Sequence, residues 1–110
     1  MSLKFCLRFN KMTMKNTFID PLLMRNAKVK EQIDLLSVGD ILSIYRLRNV
    51  SPLGVMGEYN EVTRSIILDV EEDMVYLSVM YTDSPEKTSE NIYLGKMMFF
   101  RYPWRVQNAV

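Results

Sequence analysis

Histidine is absent from this chain of 110 residues, and cysteine occurs once, as Cys6. Histidine is the side chain whose unperturbed pKa lies closest to neutral pH, so its absence excludes the Ser–His and Cys–His pairs of nucleophilic catalysis. Zinc sites built from cysteine and histidine are excluded as well. Carboxylate chemistry stays formally open, since the chain has 13 acidic residues. We predict a protein that is not an enzyme and that holds no metal and no cofactor.

A disulfide framework, an excess of charge and a long apolar run are also missing. A single cysteine cannot form an intramolecular disulfide, which excludes the disulfide-stapled class of small secreted domains. The 14 basic and 13 acidic residues nearly cancel, so binding to nucleic acid or anionic lipid would need a local basic cluster. Without a run of about 18 apolar residues we predict no membrane span. Lys4 and Arg8 interrupt the apolar N-terminus, so no signal peptide is expected, and we predict a cytoplasmic protein.

The length and the hydrophobic share of 48% predict one domain with a packed core. Residues 1–19 contain the alternating series Leu3, Phe5, Leu7 and Phe9, which is typical of a short strand. Met12 and Met14 are alternative starts, so residues 1–13 can also be interpreted as a dispensable extension. We assign residues 20–106 to a single helix-plus-barrel domain and residues 107–110 to a tail.

A helix is predicted over about 20–32. Asp20 and Pro21 form a start signal, because aspartate caps free N–H groups and proline fits the first helical position. Apolar residues then recur at roughly helical spacing: Leu22, Leu23, Val29, Ile33 and Leu36. We expect this helix to pack on one face of the domain. The interleaved basic residues leave a membrane-surface or partner helix as the alternative.

From Ile41 onward the hydrophobic period changes to two, which is typical of strands. Polar breaks at 71–73 and 83–91 divide the remaining chain into four or five short strands. This pattern predicts a mainly β fold, a small antiparallel β-barrel of the split-barrel or SH3-like kind with an N-terminal α-helix. One row of side chains is predicted to be buried: Val62, Ile66, Leu68, Val75, Leu77 and Val79.

Arginine and aromatic residues concentrate near the C-terminus, and two further arginines share a predicted strand face. The candidate binding residues are Arg46, Arg48, Arg101, Tyr102, Trp104 and Arg105. Guanidinium groups bind phosphate in a fork and stack on rings, and Arg, Tyr and Trp carry much binding energy at protein interfaces. Pro103 cannot donate a ladder hydrogen bond, so we expect this segment to leave the sheet. In the alternative interpretation Trp104 covers the core and the arginines are solvated.

Several segments of the strand region carry a family resemblance. They are Val38-Gly39-Asp40, residues 64–70, the acidic turn Glu71-Glu72-Asp73, residues 74–80 and residues 92–97. In their hydrophobic pattern, and in the glycine and acidic residues that separate the strands, they resemble the N-terminal, split-barrel-like domain of flagellar-brake proteins. In that family this domain precedes a PilZ domain, and together the two bind cyclic di-GMP and act on the flagellar motor. The resemblance implies a regulatory domain in cyclic di-GMP or motility signalling.

The ligand motif of PilZ domains is Arg-x-x-x-Arg followed by Asp/Asn-x-Ser-x-x-Gly. Arg101 and Arg105 have the first spacing, and Asn49, Ser51 and Gly54 have the second, but in reversed order. The resemblance therefore implies the partner domain of the family, which does not hold the ligand. We predict a non-catalytic regulatory module that binds a protein partner, with nucleic acid or a cyclic dinucleotide as other ligands. The alternative is a small β-barrel nucleic-acid-binding protein.

Overall fold

The computed structural model describes residues 16–48, 57–86 and 88–108, and most of their regular structure is β-strand. The strands are β1 (Phe18–Ile19), β2 (Ile41–Arg48), β3 (Glu58–Val70), β4 (Met74–Tyr81), β5 (Ser89–Gly95) and β6 (Trp104–Gln107). They form one antiparallel sheet in the order β1-β6-β2-β3-β4-β5. The predicted mainly β fold is confirmed. The predicted barrel is not confirmed, because no ladder of the described residues joins β5 to β1.

Strands β2 to β5 follow one another as hairpins, and β6 returns to the other side of β2. The predicted acidic break is the hairpin turn between β3 and β4, which the Glu71 N–H closes by donating to the Met74 carbonyl at 2.9 Å. A 3₁₀ helix (Lys96–Phe100) follows β5 and leads the chain to β6. The alternating series of residues 3–9 and the Asn49-to-Gly54 motif lie outside the described residues.

Helix α1 (Asn26–Ile33) begins six residues later than the sequence predicted. Asp20 closes a turn instead of capping a helix. Its Oδ1 accepts a hydrogen bond from the Leu22 N–H at 3.0 Å, and its carbonyl accepts one from the Leu23 N–H at 3.0 Å. Aspartate offers the backbone such local bonds in place of helical ones, and this explains the error.

The apolar side of α1 is also shorter than predicted. Val29 and Ile33 are buried, whereas Leu22 and Leu23 are 77% and 80% exposed because they belong to the turn that precedes the helix. After α1, Gly39 adopts φ +91°, a backbone conformation that L side chains rarely adopt. Its N–H donates to the Ile67 carbonyl at 2.8 Å, and the Ile67 N–H donates to the Asp40 carbonyl at 2.9 Å. These bonds fasten the residues after α1 to β3.

The core lies on one face of the sheet, here called the inner face, under α1 and the 3₁₀ helix. Cross-strand partners on this face include Leu42 with Ser65 and Ile67 with Leu77. The buried apolar cluster is Ile19, Val29, Ile33, Leu36, Leu42, Ile67, Val75, Leu77, Val79, Phe99, Trp104 and Val106. The predicted burial of the β4 residues Val75, Leu77 and Val79 is therefore confirmed.

The face of β3 that packs against the core is the opposite of the predicted one. Ile67 is fully buried, while Ile66 and Leu68 are 51% and 39% exposed and Val62 is half-buried. Three consecutive apolar residues place an apolar side chain on each face, so a period of two cannot select the buried face here. A bulge between Ile67 and Asp69 leaves Leu68 without a partner in β4. The predicted burial of Ile66 and Leu68 is wrong.

Candidate functional site

Trp104, a predicted binding residue, lies in the core. It is 1% exposed, its ring centroid lies 4.8 Å from that of Phe99 in an edge-on arrangement, and its Nε1–H donates to the Phe99 carbonyl at 3.0 Å. The prediction that the segment leaves the sheet at Pro103 is wrong. The Pro103 carbonyl accepts a hydrogen bond from the Tyr45 N–H at 2.9 Å, which keeps the segment beside β2. The indole of Trp104 is therefore enclosed by its own domain, which is the alternative arrangement stated above.

Arg105 lies on the opposite face of β6, called the outer face of the sheet. Consecutive strand residues point to opposite faces, so Trp104 and Arg105 cannot share a surface. Arg105 is half-buried, its Nη2 donates to the Tyr45 hydroxyl at 2.9 Å, and its Cζ lies 5.9 Å from the centre of the Tyr45 ring. Arg105 thus packs against an aromatic neighbour instead of standing free beside Arg101.

The structure brings Arg46 and Tyr102 together. They line a cavity of about 190 Å³ with Ile44, Tyr45, Val62, Thr63 and Met98. Within the described part of the chain, the buried Thr63 Oγ1 has no hydrogen-bond partner. Arg48 lies 3.9 Å from the Asp83 carboxylate in an exposed ion pair, and such pairs contribute little to stability. Arg101 is exposed after the 3₁₀ helix, where its N–H donates to the Met98 carbonyl at 3.0 Å.

A second surface, which the sequence interpretation missed, lies on the outer face of β3, β4 and β5. We call it the outer-face patch and define it as Ile66, Met74, Tyr76, Met80 and Tyr93. Four of its members are exposed, at 51%, 46%, 43% and 60% for Ile66, Met74, Met80 and Tyr93. The rings of Tyr76 and Tyr93 pack across the β4–β5 ladder with centroids 4.5 Å apart. A groove of about 320 Å³ beside them is lined in part by Arg64, Ser78 and Ser89.

Four carboxylates border one end of the outer-face patch and form an acidic rim: Asp69, Glu71, Glu72 and Asp73. All four are exposed, and they flank Met74 at the hairpin turn between β3 and β4. Lys96 is close by, because its N–H donates to the Asp73 carbonyl at 2.9 Å. One lysine against four carboxylates leaves this end of the patch negative.

The patch leaves a signal in the sequence of β4, where Met74, Tyr76 and Met80 alternate with the core residues Val75, Leu77 and Val79. An apolar row on each face of one strand indicates a second covered or binding face. No protein-family model, curated protein or solved structure matches the chain. The resemblance to flagellar-brake domains therefore stays a prediction.

Among residues 16–48, 57–86 and 88–108, no group of three or more histidine, cysteine, aspartate or glutamate side chains is placed to hold a metal ion. The helices in the same ranges are too short to span a bilayer.

An aromatic cluster beside Arg105 contains a perturbed tyrosine. The Tyr59 hydroxyl donates to Asp20 Oδ2 at 2.5 Å, and the Tyr59 ring packs edge-on against Phe18 with centroids 5.0 Å apart. The pKa of Tyr59 is raised above its ordinary value of 10.0, chiefly by this hydrogen bond, then by burial and by the negative charge of Asp20. The phenolate would lose the bond and face that charge, so the neutral form is favoured.

We expect Asp20→Asn to lower the pKa of Tyr59, because an amide keeps the acceptor oxygen but removes the charge. The folded pKa lies above the unfolded one, so the pair stabilises the fold fully below pH 10.0 and loses this effect as the pH rises through the folded pKa. NMR titration of labelled tyrosines measures the shift. Tyr81 is the internal control, since Glu90 raises its pKa and should continue to do so in the variant. An unchanged Tyr59 pKa would contradict the Asp20 contact.

Proposed function

We propose that this chain is a non-catalytic interaction module that binds a protein partner through the outer-face patch. The observation that carries the proposal is the exposure of Ile66, Met74, Met80 and Tyr93 on one face of the three neighbouring strands β3, β4 and β5. Apolar side chains grouped on an exposed face mark interaction sites, and tyrosine and methionine are enriched in such sites.

The charge around the patch defines the chemistry of the partner. The acidic rim favours a protein surface whose apolar centre is bordered by lysine or arginine, since complementary charges steer encounter and suppress wrong partners. The same rim repels phosphate groups, so this end of the patch disfavours nucleic acid and cyclic dinucleotides. A basic-bordered protein is therefore the proposed occupant.

We extend this proposal to a regulatory role in cyclic di-GMP or motility signalling. What supports it is that residues 64–70, 71–73, 74–80 and 92–97, which carry the resemblance, belong to the consecutive strands and turn that bear the patch. The split-barrel form belongs to the same proposal, and it requires closure beyond the open sheet of the described residues.

A nucleotide or nucleic acid is the second candidate ligand, and the cavity of Arg46 and Tyr102 favours it. Arginine and tyrosine suit phosphate and a stacked base. The volume of about 190 Å³ is smaller than the roughly 300 Å³ at which ligand pockets begin. The cavity therefore suits one base or phosphate and not a whole cyclic dinucleotide.

Site-specific photo-crosslinking in cells tests the two candidates. A photoreactive phenylalanine analogue at Met80 is expected to capture a discrete protein, which mass spectrometry identifies. The same analogue at Leu22, an apolar position outside the patch that is 77% exposed against 43% for Met80, is the control. Capture at Tyr102 of nucleic acid, with nothing specific at Met80, would favour the second candidate and contradict the first.

Binding with purified components then tests the chemistry of the contact. We expect Met80→Lys to weaken the captured complex at least about tenfold, because it places a charge in a desolvated contact. Leu22→Lys should leave the affinity unchanged. Replacing Glu71 and Glu72 by lysine should slow association and remove its salt dependence. Wild-type affinity of Met80→Lys would contradict the proposed surface.

A further inference from the structure

The outward edge of β5 is an open strand edge. Its ladder partner is β4, and no strand of the described residues lies on its other side. Natural edge strands are protected by proline, lysine, bulges or shortness. Between Ser89 and Gly95 there is no proline or lysine, and the register with β4 runs without a bulge over seven residues. As far as residues 16–48, 57–86 and 88–108 show, this edge is open to pairing with another strand.

The hydrogen bonds at the two ends of β5 show which backbone groups face outward. The Tyr81 N–H donates to the Thr88 carbonyl at 3.2 Å, and the Lys96 N–H donates to the Asp73 carbonyl at 2.9 Å. Because hydrogen-bonded pairs alternate in an antiparallel ladder, the even-numbered residues 88 to 96 bond to β4. The odd-numbered residues, among them Asn91 and Tyr93, direct their N–H and carbonyl groups to the open edge.

We propose that two copies of this chain form a dimer by pairing their β5 strands antiparallel, with the two-fold axis at Tyr93. Each outward-facing residue then meets an outward-facing residue of the second copy: Tyr93 meets Tyr93, and Asn91 meets Gly95. Between them Ile92 lies opposite Leu94, and Glu90 lies opposite Lys96. The strand is thus complementary to itself in charge and in apolar character.

Neighbouring registers do not share this complementarity. Centring the axis on Ile92 places Glu90 opposite Leu94, and centring it on Leu94 places Ile92 opposite Lys96. An axis between two residues would set outward-facing groups against residues already bonded to β4. Opposite charges and matched apolar pairs across strands stabilise a ladder, so the register at Tyr93 is the favoured one.

The pairing has a consequence for the outer face. Tyr93 is 60% exposed and belongs to the outer-face patch, so the two-fold axis brings the patches of two copies side by side. The contact is isologous and closes at two copies, because each β5 has one open edge. Backbone bonds carry the dimer, and it does not depend on the partner proposed above.

Sedimentation equilibrium of the purified protein across concentrations tests the dimer. Wild type is expected to shift from monomer to dimer, and Lys96→Glu is expected to weaken the dimer about tenfold or more by placing like charges at both ends of the contact. Glu90→Lys should have the same effect. An equimolar mixture of the two variants should recover the dimer, because every contact again joins a glutamate to a lysine.

A backbone variant separates edge pairing from side-chain effects. Asn91→Pro removes an outward N–H and no bond to β4, so the melting temperature should stay near that of wild type while the dimer is lost. Of the two charge variants, Lys96→Glu disturbs the fold less. It leaves Glu90 in place to accept the hydrogen bond of the Tyr81 hydroxyl, whereas Glu90→Lys removes that acceptor. Wild type that stays monomeric, a dimer unaffected by both variants, or a mixture that fails to pair would each overturn the proposal.

Discussion

Trp104→Ala is expected to lower the free energy of unfolding by about 3–5 kcal/mol, the range for large aromatic truncations in cores. The side chain is 1% exposed and packs edge-on against Phe99, so its removal leaves a cavity between the sheet and the 3₁₀ helix. The Phe99 carbonyl also loses the indole N–H that it accepts at 3.0 Å. Urea titration followed by circular dichroism measures the loss.

Tyr102→Ala and Arg101→Ala are the matched controls from the same segment. Both side chains are exposed, Tyr102 at 43%, so we expect changes within about 0.5 kcal/mol. A Trp104→Ala loss as small as these controls would show that the indole is not a core group. The original binding hypothesis for Trp104 would then regain its basis.

Ile67→Ala is expected to cost about 2–5 kcal/mol of stability, whereas Ile66→Ala should change it by no more than about 0.5 kcal/mol. The two residues are chemically identical neighbours on β3, but Ile67 is fully buried and Ile66 is 51% exposed. The comparison therefore isolates the face that β3 turns to the core. Denaturant unfolding of both variants in parallel measures the difference.

The same pair of variants separates stability from binding. Ile66→Ala is expected to weaken the complex with the protein partner while the fold stays intact, because Ile66 belongs to the outer-face patch. Equal destabilisation by the two substitutions, or a larger loss at Ile66, would show that β3 is registered as the alternation alone had predicted.

Strand geometry separates two of the candidate binding residues and brings two others together. Trp104 and Arg105 are adjacent in sequence and were grouped for that reason, yet β6 sends one to the core and the other to the outer face. Arg46 and Tyr102 are 56 positions apart in the sequence and nevertheless line one cavity, because β6 returns to pair with β2. Strand pairing, and not proximity along the chain, therefore decides which of these residues share a surface.

Local chemistry in the sequence was sufficient to predict the mainly β class, the acidic hairpin turn and the buried row of β4. Val75, Leu77 and Val79 alternate with larger or polar neighbours, and the turn residues are strongly polar, so short-range preferences and burial agree there. Only the tertiary structure decided the face of β3, the role of Asp20 and the burial of Trp104. At Ile66 and Ile67 both faces of the strand are apolar, so the pairing with neighbouring strands and the bulge determine which face is buried. Asp20 accepts a hydrogen bond from the hydroxyl of Tyr59, which is 39 residues away in the sequence. Such long-range contacts form when distant strands meet, and a local pattern carries no information about which strands those are.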